Sequence, residues 1–303
     1  MPTAPVTLAK LSPPKLFGVL ARERLFAVLD GQPHHPAVWI AGPPGAGKTT
    51  LVASYLQARA VPFIWYQVDS GDADPASFFY YLTQAIPPSR AARREPLLLL
   101  TPEYLADLPG FTRRFFRALF DRLPARAALV LDNFQDVSAT SPFHAIVRDA
   151  LNEARDGLNV IVLSRTDPPA AFARAQANGL VGNVGWDELR LTPDETRAIA
   201  AAHHEIDAAS LQLLQQQSGG WAAGLVLLLQ RLKHTGVVQP PALPVETMQT
   251  VFGYFAEQVF DQLPTATREL LMRTVFLARI TVPAAQSLTG NAEAETLLDA
   301  LYR

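Results

Sequence analysis

The chain has 303 residues, 49% of them hydrophobic and 18% charged, which is enough apolar material for a large core spread over two or three domains. Its formal net charge of −2 gives no basic field to attract nucleic acid or anionic lipid, and the lack of cysteine excludes disulfides, thiol catalysis and thiolate metal sites. No apolar run approaches the length of a membrane span, and residues 1–16 lack the apolar centre of a signal peptide, so a cytoplasmic protein is expected.

Taken in order, residues 1–16 carry Pro2, Pro5, Pro13 and Pro14 and read as an extended arm. Arg22-Glu23-Arg24-Leu25-Phe26 opens a short helix. A basic segment just ahead of a phosphate-loop strand either borders the base of a nucleotide or forms a solvated helix face. Arg22 is the candidate contact.

Val38 to Ala41 is an apolar run fit for a buried strand, and it leads into Gly42-Pro43-Pro44-Gly45-Ala46-Gly47-Lys48-Thr49-Thr50. This satisfies G-x-x-x-x-G-K-[ST], with the strand before it and the helix after it that the motif requires. The glycines let backbone N–H groups converge on phosphates, and the following helix adds its positive end. Lys48 is placed for the β- and γ-phosphates and the Thr49 hydroxyl for Mg²⁺. The spacing therefore predicts an ATP or ADP site made of residues 42–50.

Pro62 to Val68, rich in aromatic and β-branched residues, is a second strand. Asp74 and Pro75 are the N-cap and first residue of a helix through Ile86. Residues 87–103 read as a loop whose Arg90, Arg93 and Arg94 lie on a solvated surface. After a helix over about 110–123, Ala127 to Asn133 has the form of a Walker B strand, with Asp132 placed to hold Mg²⁺ through water. The Trp65 strand lies between the two Walker strands, which matches the ATPase branch in which another strand separates them in the sheet. A helix over 143–154 leads to Leu158–Arg165, the strand that one ATPase branch inserts between the Walker strands in the sheet. Its end would bring Arg165 to the γ-phosphate as a sensor. Residues 166–186 read as a long connection, with Leu189 and Leu191 marking a fifth strand.

Thr192-Pro193-Asp194-Glu195 is a capping box that starts a helical region. Helices are expected near 193–203, 207–217 and 221–234, with a break at Gly219-Gly220. A linker over 236–246 follows, and then helices near 247–262, 265–278 and 292–302. His34-His35 and His203-His204 are adjacent pairs whose members diverge, which argues against a metal site.

Lys10-Leu11-Ser12-Pro13-Pro14, Arg22-Glu23-Arg24-Leu25, the P-loop, Trp65-Tyr66-Gln67-Val68-Asp69, Leu129-Val130-Leu131-Asp132 and Ser164-Arg165 stand in that order. Leu189-Arg190-Leu191-Thr192 and Gly219-Gly220-Trp221-Ala222 follow them. Together they resemble the nucleotide-binding module of the MalT-type transcriptional activators, members of the signal-transduction ATPases with numerous domains (STAND). The resemblance covers nearly all of the chain. It implies an α/β P-loop NTPase with a parallel five-stranded sheet over 1–191, a helical lid over 192–238, and the beginning of a winged-helix subdomain over 245–303. It further implies a switch in which ADP holds a closed monomer, while ATP with a small-molecule or protein inducer permits self-association. On that analogy Arg165 is the sensor arginine, and Gly220-Trp221 replaces the Gly-x-Pro motif of the lid, so that Trp221 joins the nucleotide site. DNA would be bound only by domains beyond residue 303, and helix 292–302 would then leave Leu297, Leu298 and Leu301 uncovered.

One position departs from the family. Where many members carry a second acid after the Walker B aspartate, this chain has Asn133, and an amide cannot serve as a general base. Nucleotide binding is expected to survive this, with at most slow ATP hydrolysis. The alternative function is an AAA+ motor or remodelling ATPase, which needs fast turnover and an arginine finger between subunits. No residue suggests itself for that finger.

Overall fold

The computed structural model describes residues 8–32, 35–86, 96–154, 159–202, 206–235, 263–275, 277 and 280–302. Arg90, Arg93, Arg94, His34, His203, His204, Leu158 and the expected segments 236–246 and 247–262 lie outside them. The backbone forms two compact units, 1–238 and 239–303. No helix of the described residues is long and apolar enough to cross a membrane.

In the first unit, α1 (Glu23–Asp30) precedes β1 (Ala37–Ala41) and α2 (Lys48–Ala58). β2 (Phe63–Gln67) and α3 (Pro75–Gln84) follow, and Asp74 caps α3 by accepting from the amides of Ala76 and Ser77. Then come α4 (Leu108–Phe120), β3 (Ala128–Asp132), α5 (Pro142–Leu151), β4 (Asn159–Ser164) and β5 (Val181–Val184). The five strands are parallel in the order β2-β3-β4-β1-β5. β4 lies between the two Walker strands as expected. The Trp65 strand, read from the sequence as the intervening one, intervenes only along the chain and lies instead at the sheet's edge beside β3.

The central strands β1, β3 and β4 are buried on both faces, the edge strands β2 and β5 less completely, and the period of two divides their side chains between two cores. Trp39, Tyr66, Leu129, Leu131 and Val162 face a layer of rings from α3, α4 and α5, including Phe78, Phe79, Phe111, Phe115 and Phe116. Val38, Ile40, Trp65, Val130, Ile161 and Leu163 face α1 and α2. Each fully buried Phe contributes about 1.5–3 kcal/mol of transfer free energy, so the ring layer is a main support of the sheet.

Two sequence expectations are corrected here. The fifth strand is Val181–Val184, within the expected connection, and Leu189 instead closes a short helix, Trp186–Leu189. Gly182 and Asn183 weaken the strand pattern, and only pairing with β1 (Ala37 with Val181, Ile40 with Val184) makes this segment a strand. The N-terminal arm is anchored as well as extended. Ala9–Leu11 forms a 3₁₀ turn, and Lys10 Nζ contacts Asp69 and lies 2.8 Å from Asp72 Oδ2. The Asp72 side chain is fully buried and needs a countercharge, and Tyr66 Oη donates to its other oxygen at 2.6 Å.

Three helices follow the sheet, α6 (Pro193–Ala201), α7 (Ala208–Ser218) and α8 (Ala222–Thr235), over the segment expected as a lid. Leu191, Ala200, Leu214, Leu225 and Leu229 give them a small core of their own. In the second unit, α9 (Thr265–Thr274), α10 (Val282–Thr289) and α11 (Ala294–Tyr302) pack around Leu270, Ala285 and Ala294. α10 was not expected from the sequence. Leu297 and Leu298 are half-buried against this cluster, which corrects the expectation that they are uncovered.

Candidate nucleotide site

The carboxyl ends of β1, β3 and β4 meet at one edge, and the candidate residues hang from them. Ala41 pairs with Ser164, and the Gly42 amide donates to the Ser164 carbonyl at 3.2 Å, which fixes the start of the loop to the end of β4. Gly45 and Gly47 take left-handed φ values of 71° and 85°, which a residue with a Cβ rarely adopts. Gly47 is also the N-cap of α2, so the helix starts at Lys48 and its first amides face the loop. Ala46 is buried, and its amide closes a turn onto Pro43 O at 3.2 Å. Thr50 follows Thr49 in the first turn of α2.

Lys48 Nζ donates to the carbonyls of Gly42 and Pro43, the latter at 3.0 Å. Burial lowers the ammonium pKa to about 8, and the charge of Arg165 adds to this while Asp132 opposes it. The terminal charge of Arg165 is thus close enough to be felt at Lys48. The Arg165 backbone is held from several sides: its amide donates to Gln135 Oε1 at 3.1 Å, and Trp39 Nε1 donates to the next carbonyl, Thr166 O, at 2.9 Å.

Thr49 Oγ1 donates to Asp132 Oδ1 at 3.2 Å, joining the two Walker elements across the inserted strand. The Asp132 carboxyl is pushed up by burial, and the Thr49 hydroxyl, the Asn133 amide and Lys48 offset part of this. Asp136 pushes it further up. Asn133 is exposed and left-handed (φ 61°), a conformation that Asn tolerates better than most residues, and it opens the 3₁₀ turn Phe134–Asp136.

These residues fit Mg²⁺ and a polyphosphate. A hydroxyl and a carboxylate 3.2 Å apart are hard oxygen donors, and the glycine turn with a half-buried lysine beside it is a cradle for anions.

Arg22 and Trp221 have partners within the protein. Arg22 pairs with Glu195 (Nη2–Oε2 2.9 Å) and donates to the carbonyls of Leu189 and Arg190 at 2.9 and 3.0 Å. Burial alone would raise the Glu195 pKa, but Arg22, the Thr192 amide and Arg24 hold it below the usual range. Glu195 also completes the predicted capping box with Thr192, so one carboxylate ties the N-terminal segment to the start of α6. Trp221 Nε1 donates to Pro44 O at 2.8 Å.

Sequence reasoning missed Gln135, Asp136 and Glu195's second task. The available signal was the acid four residues after Asp132, which a 3₁₀ turn brings back towards it.

The family described as AAA domain matches residues 33–173, and the MalT winged helix domain matches residues 256–303. The chain is 26% identical over 299 residues to the HTH-type transcriptional regulator MalT of Vibrio cholerae serotype O1, covering 96% of this chain and 33% of that protein. It is 27% identical over 307 residues to the MalT of Cronobacter sakazakii, covering 97% and 33%. It therefore spans about a third of the length of the curated relatives it matches. Among solved structures, it resembles a STAND protein with a tetratricopeptide repeat sensor from Pyrococcus horikoshii, with a TM-score of 0.54 and 17% identity over 98% of this chain and 41% of that one. The Walker-type ATPase of Pyrococcus abyssi gives a TM-score of 0.61 and 13% identity over 93% and 88%. These two likenesses concern the fold alone. With an AAA-domain match followed by a MalT winged-helix match, the chain is similar in sequence to about a third of the length of the MalT-type transcriptional regulators and carries the fold of an NTPase module.

Proposed function

We propose that the chain is the ATP- and ADP-binding switch module of a bacterial transcriptional regulator, which holds its nucleotide and turns it over slowly. The observation that carries this reading is the contact of Thr49 with Asp132 beside a half-buried Lys48, at the mouth of a glycine turn. Lys48 leaves the carbonyls of Gly42 and Pro43 to neutralise the β- and γ-phosphates, and the amides of residues 45–50 supply the remaining donors. Thr49 and Asp132 hold Mg²⁺, which when bound neutralises phosphate charge. Arg165 reads the presence of the γ-phosphate. The lid carries that state onward, and with an inducer the ATP form self-associates and acts on DNA through domains of the whole regulator.

Binding is tested by melting the protein with and without Mg-ATP. A ligand at a hundredfold its Kd stabilises by about 2.7 kcal/mol, which a thermal shift detects readily. The parent's Tm is expected to rise. That of Lys48→Ala is expected to stay where it is without ligand. An equal rise in both would remove Lys48 from the site, and no rise in the parent would overturn the reading.

A further inference from the structure

The lid meets the P-loop through its backbone, on the carbonyl side. Besides the Trp221 indole on Pro44 O, the Ala223 amide donates to Gly45 O at 3.0 Å. Ala223 lies in the first turn of α8, where an amide has no partner within its own helix. Two successive P-loop carbonyls are therefore satisfied by two donors from the lid. The strap that delivers them is fixed in turn. The Leu191 amide donates to Gly220 O at 2.8 Å, and Gly220 is left-handed (φ 77°), with room for no Cβ because one would stand 3.0 Å from Leu191 O.

In a trans peptide the C=O and N–H point in opposite directions. Holding the Pro44 carbonyl on the indole therefore turns the Gly45 N–H to the other side of the loop. A hydrogen bond on the carbonyl also polarises its peptide and makes that N–H a better donor.

We propose that Trp221 is a positioning residue. Its indole N–H, with the Ala223 amide, holds the Pro44–Gly45–Ala46 backbone in the orientation that accepts a nucleoside di- or triphosphate, so lid docking and phosphate binding favour each other. This rests on the reading of the P-loop as the nucleotide site. It differs from the sequence expectation that Trp221 touches the nucleotide. Affinity falls with the fraction of molecules in the binding-competent form, and linkage requires that nucleotide in turn tightens the lid.

Trp221→Phe keeps an aromatic ring and removes the donor. Kd values for Mg-ATP and Mg-ADP are measured on the whole chain for the parent, Trp221→Phe and Lys48→Ala, with amide exchange of the peptide containing Ala223. One hydrogen bond corresponds to a loss of about two- to tenfold in affinity, expected for both nucleotides. Nucleotide is expected to slow Ala223 exchange in the parent, and to slow it less in Trp221→Phe. If Lys48→Ala loses binding while Trp221→Phe matches the parent, the positioning role is overturned and the nucleotide site stands. Weaker binding in Trp221→Phe, with Ala223 exchange in the parent indifferent to nucleotide, would mean direct contact and would also overturn it. If the parent binds neither nucleotide, both readings fall together.

Discussion

The hydroxyl of Thr49 and the carboxylate of Asp132 stand 3.2 Å apart, although their elements begin from strands separated in the sheet by β4. The last residue of β3 and the second residue of α2 reach over the end of β4 to each other, and the helix start at Gly47 decides where the hydroxyl falls.

That pair makes Asp132→Asn informative. The Asp132 pKa is raised in the folded chain, chiefly by burial, so the folded state keeps its proton to higher pH than the unfolded state does. As pH rises above the ordinary Asp value of about 3.9, ionisation therefore favours unfolding, and the buried charge costs stability at neutral pH. Asp132→Asn keeps an acceptor for Thr49 and removes that cost. Its ligand-free Tm at neutral pH is expected to rise by a few degrees, about 2–4 °C per kcal/mol. Its affinity for ATP is expected to depend less on Mg²⁺ than the parent's. Titration with ATP in the presence and absence of Mg²⁺ checks this, and an undiminished Mg²⁺ effect would contradict it.

Lys48 sets a pH dependence of the opposite kind. Its ammonium has a pKa of about 8 in the ligand-free protein, lowered first by burial and then by Arg165. Phosphate oxygens favour the charged form, so above about pH 8 binding must return a proton to Lys48. Affinity for Mg-ATP is expected to fall as pH rises from about 8, by at most tenfold per unit. Lys48→Arg stays charged throughout and should flatten the profile. Calorimetry in buffers of different ionisation enthalpy reads the proton uptake directly. A flat parent profile between about pH 7.5 and 9.5 would contradict the lowered lysine. The same shift makes ligand-free stability rise with pH between about 8 and the unfolded lysine value near 10.4, because there the unfolded chain binds more protons.

Much of this site was legible because its signals are local. The P-loop, the Walker B strand, the Asp74 cap and the Thr192–Glu195 capping box each lie within a few residues, and each forms as read. What was illegible depends on partners far along the chain. Lys10 is fixed by acids 59 and 62 residues away, and Trp221 by a carbonyl 177 residues away. Val181-Gly182-Asn183-Val184 becomes a strand only because β1 offers its edge, and no periodicity announces that. Arg22 shows the limit of composition: the same basic residue suits a nucleotide's base or a lid carboxylate, and only the fold supplies Glu195.

A module that holds nucleotide rather than cycling through it must lack a base for the attacking water, and Asn133 is the residue on which this turns. A water attacking the γ-phosphate must lose a proton, and an amide cannot take it. A positioned general base contributes about 10²–10⁴ in rate. Asp136, brought near Asp132 by the 3₁₀ turn, is the acid that would undermine this if it served as that base. Single-turnover hydrolysis of bound ATP by the parent, Asn133→Asp and Asp136→Asn is the most direct measurement. Asp adopts the left-handed conformation at position 133 nearly as readily as Asn, so Asn133→Asp should fold normally. Slow hydrolysis by the parent with nucleotide retained is expected, with a faster rate in Asn133→Asp at similar affinity and no loss in Asp136→Asn. Parent turnover of several per second, abolished in Asp136→Asn, would contradict this and make the module a cycling ATPase.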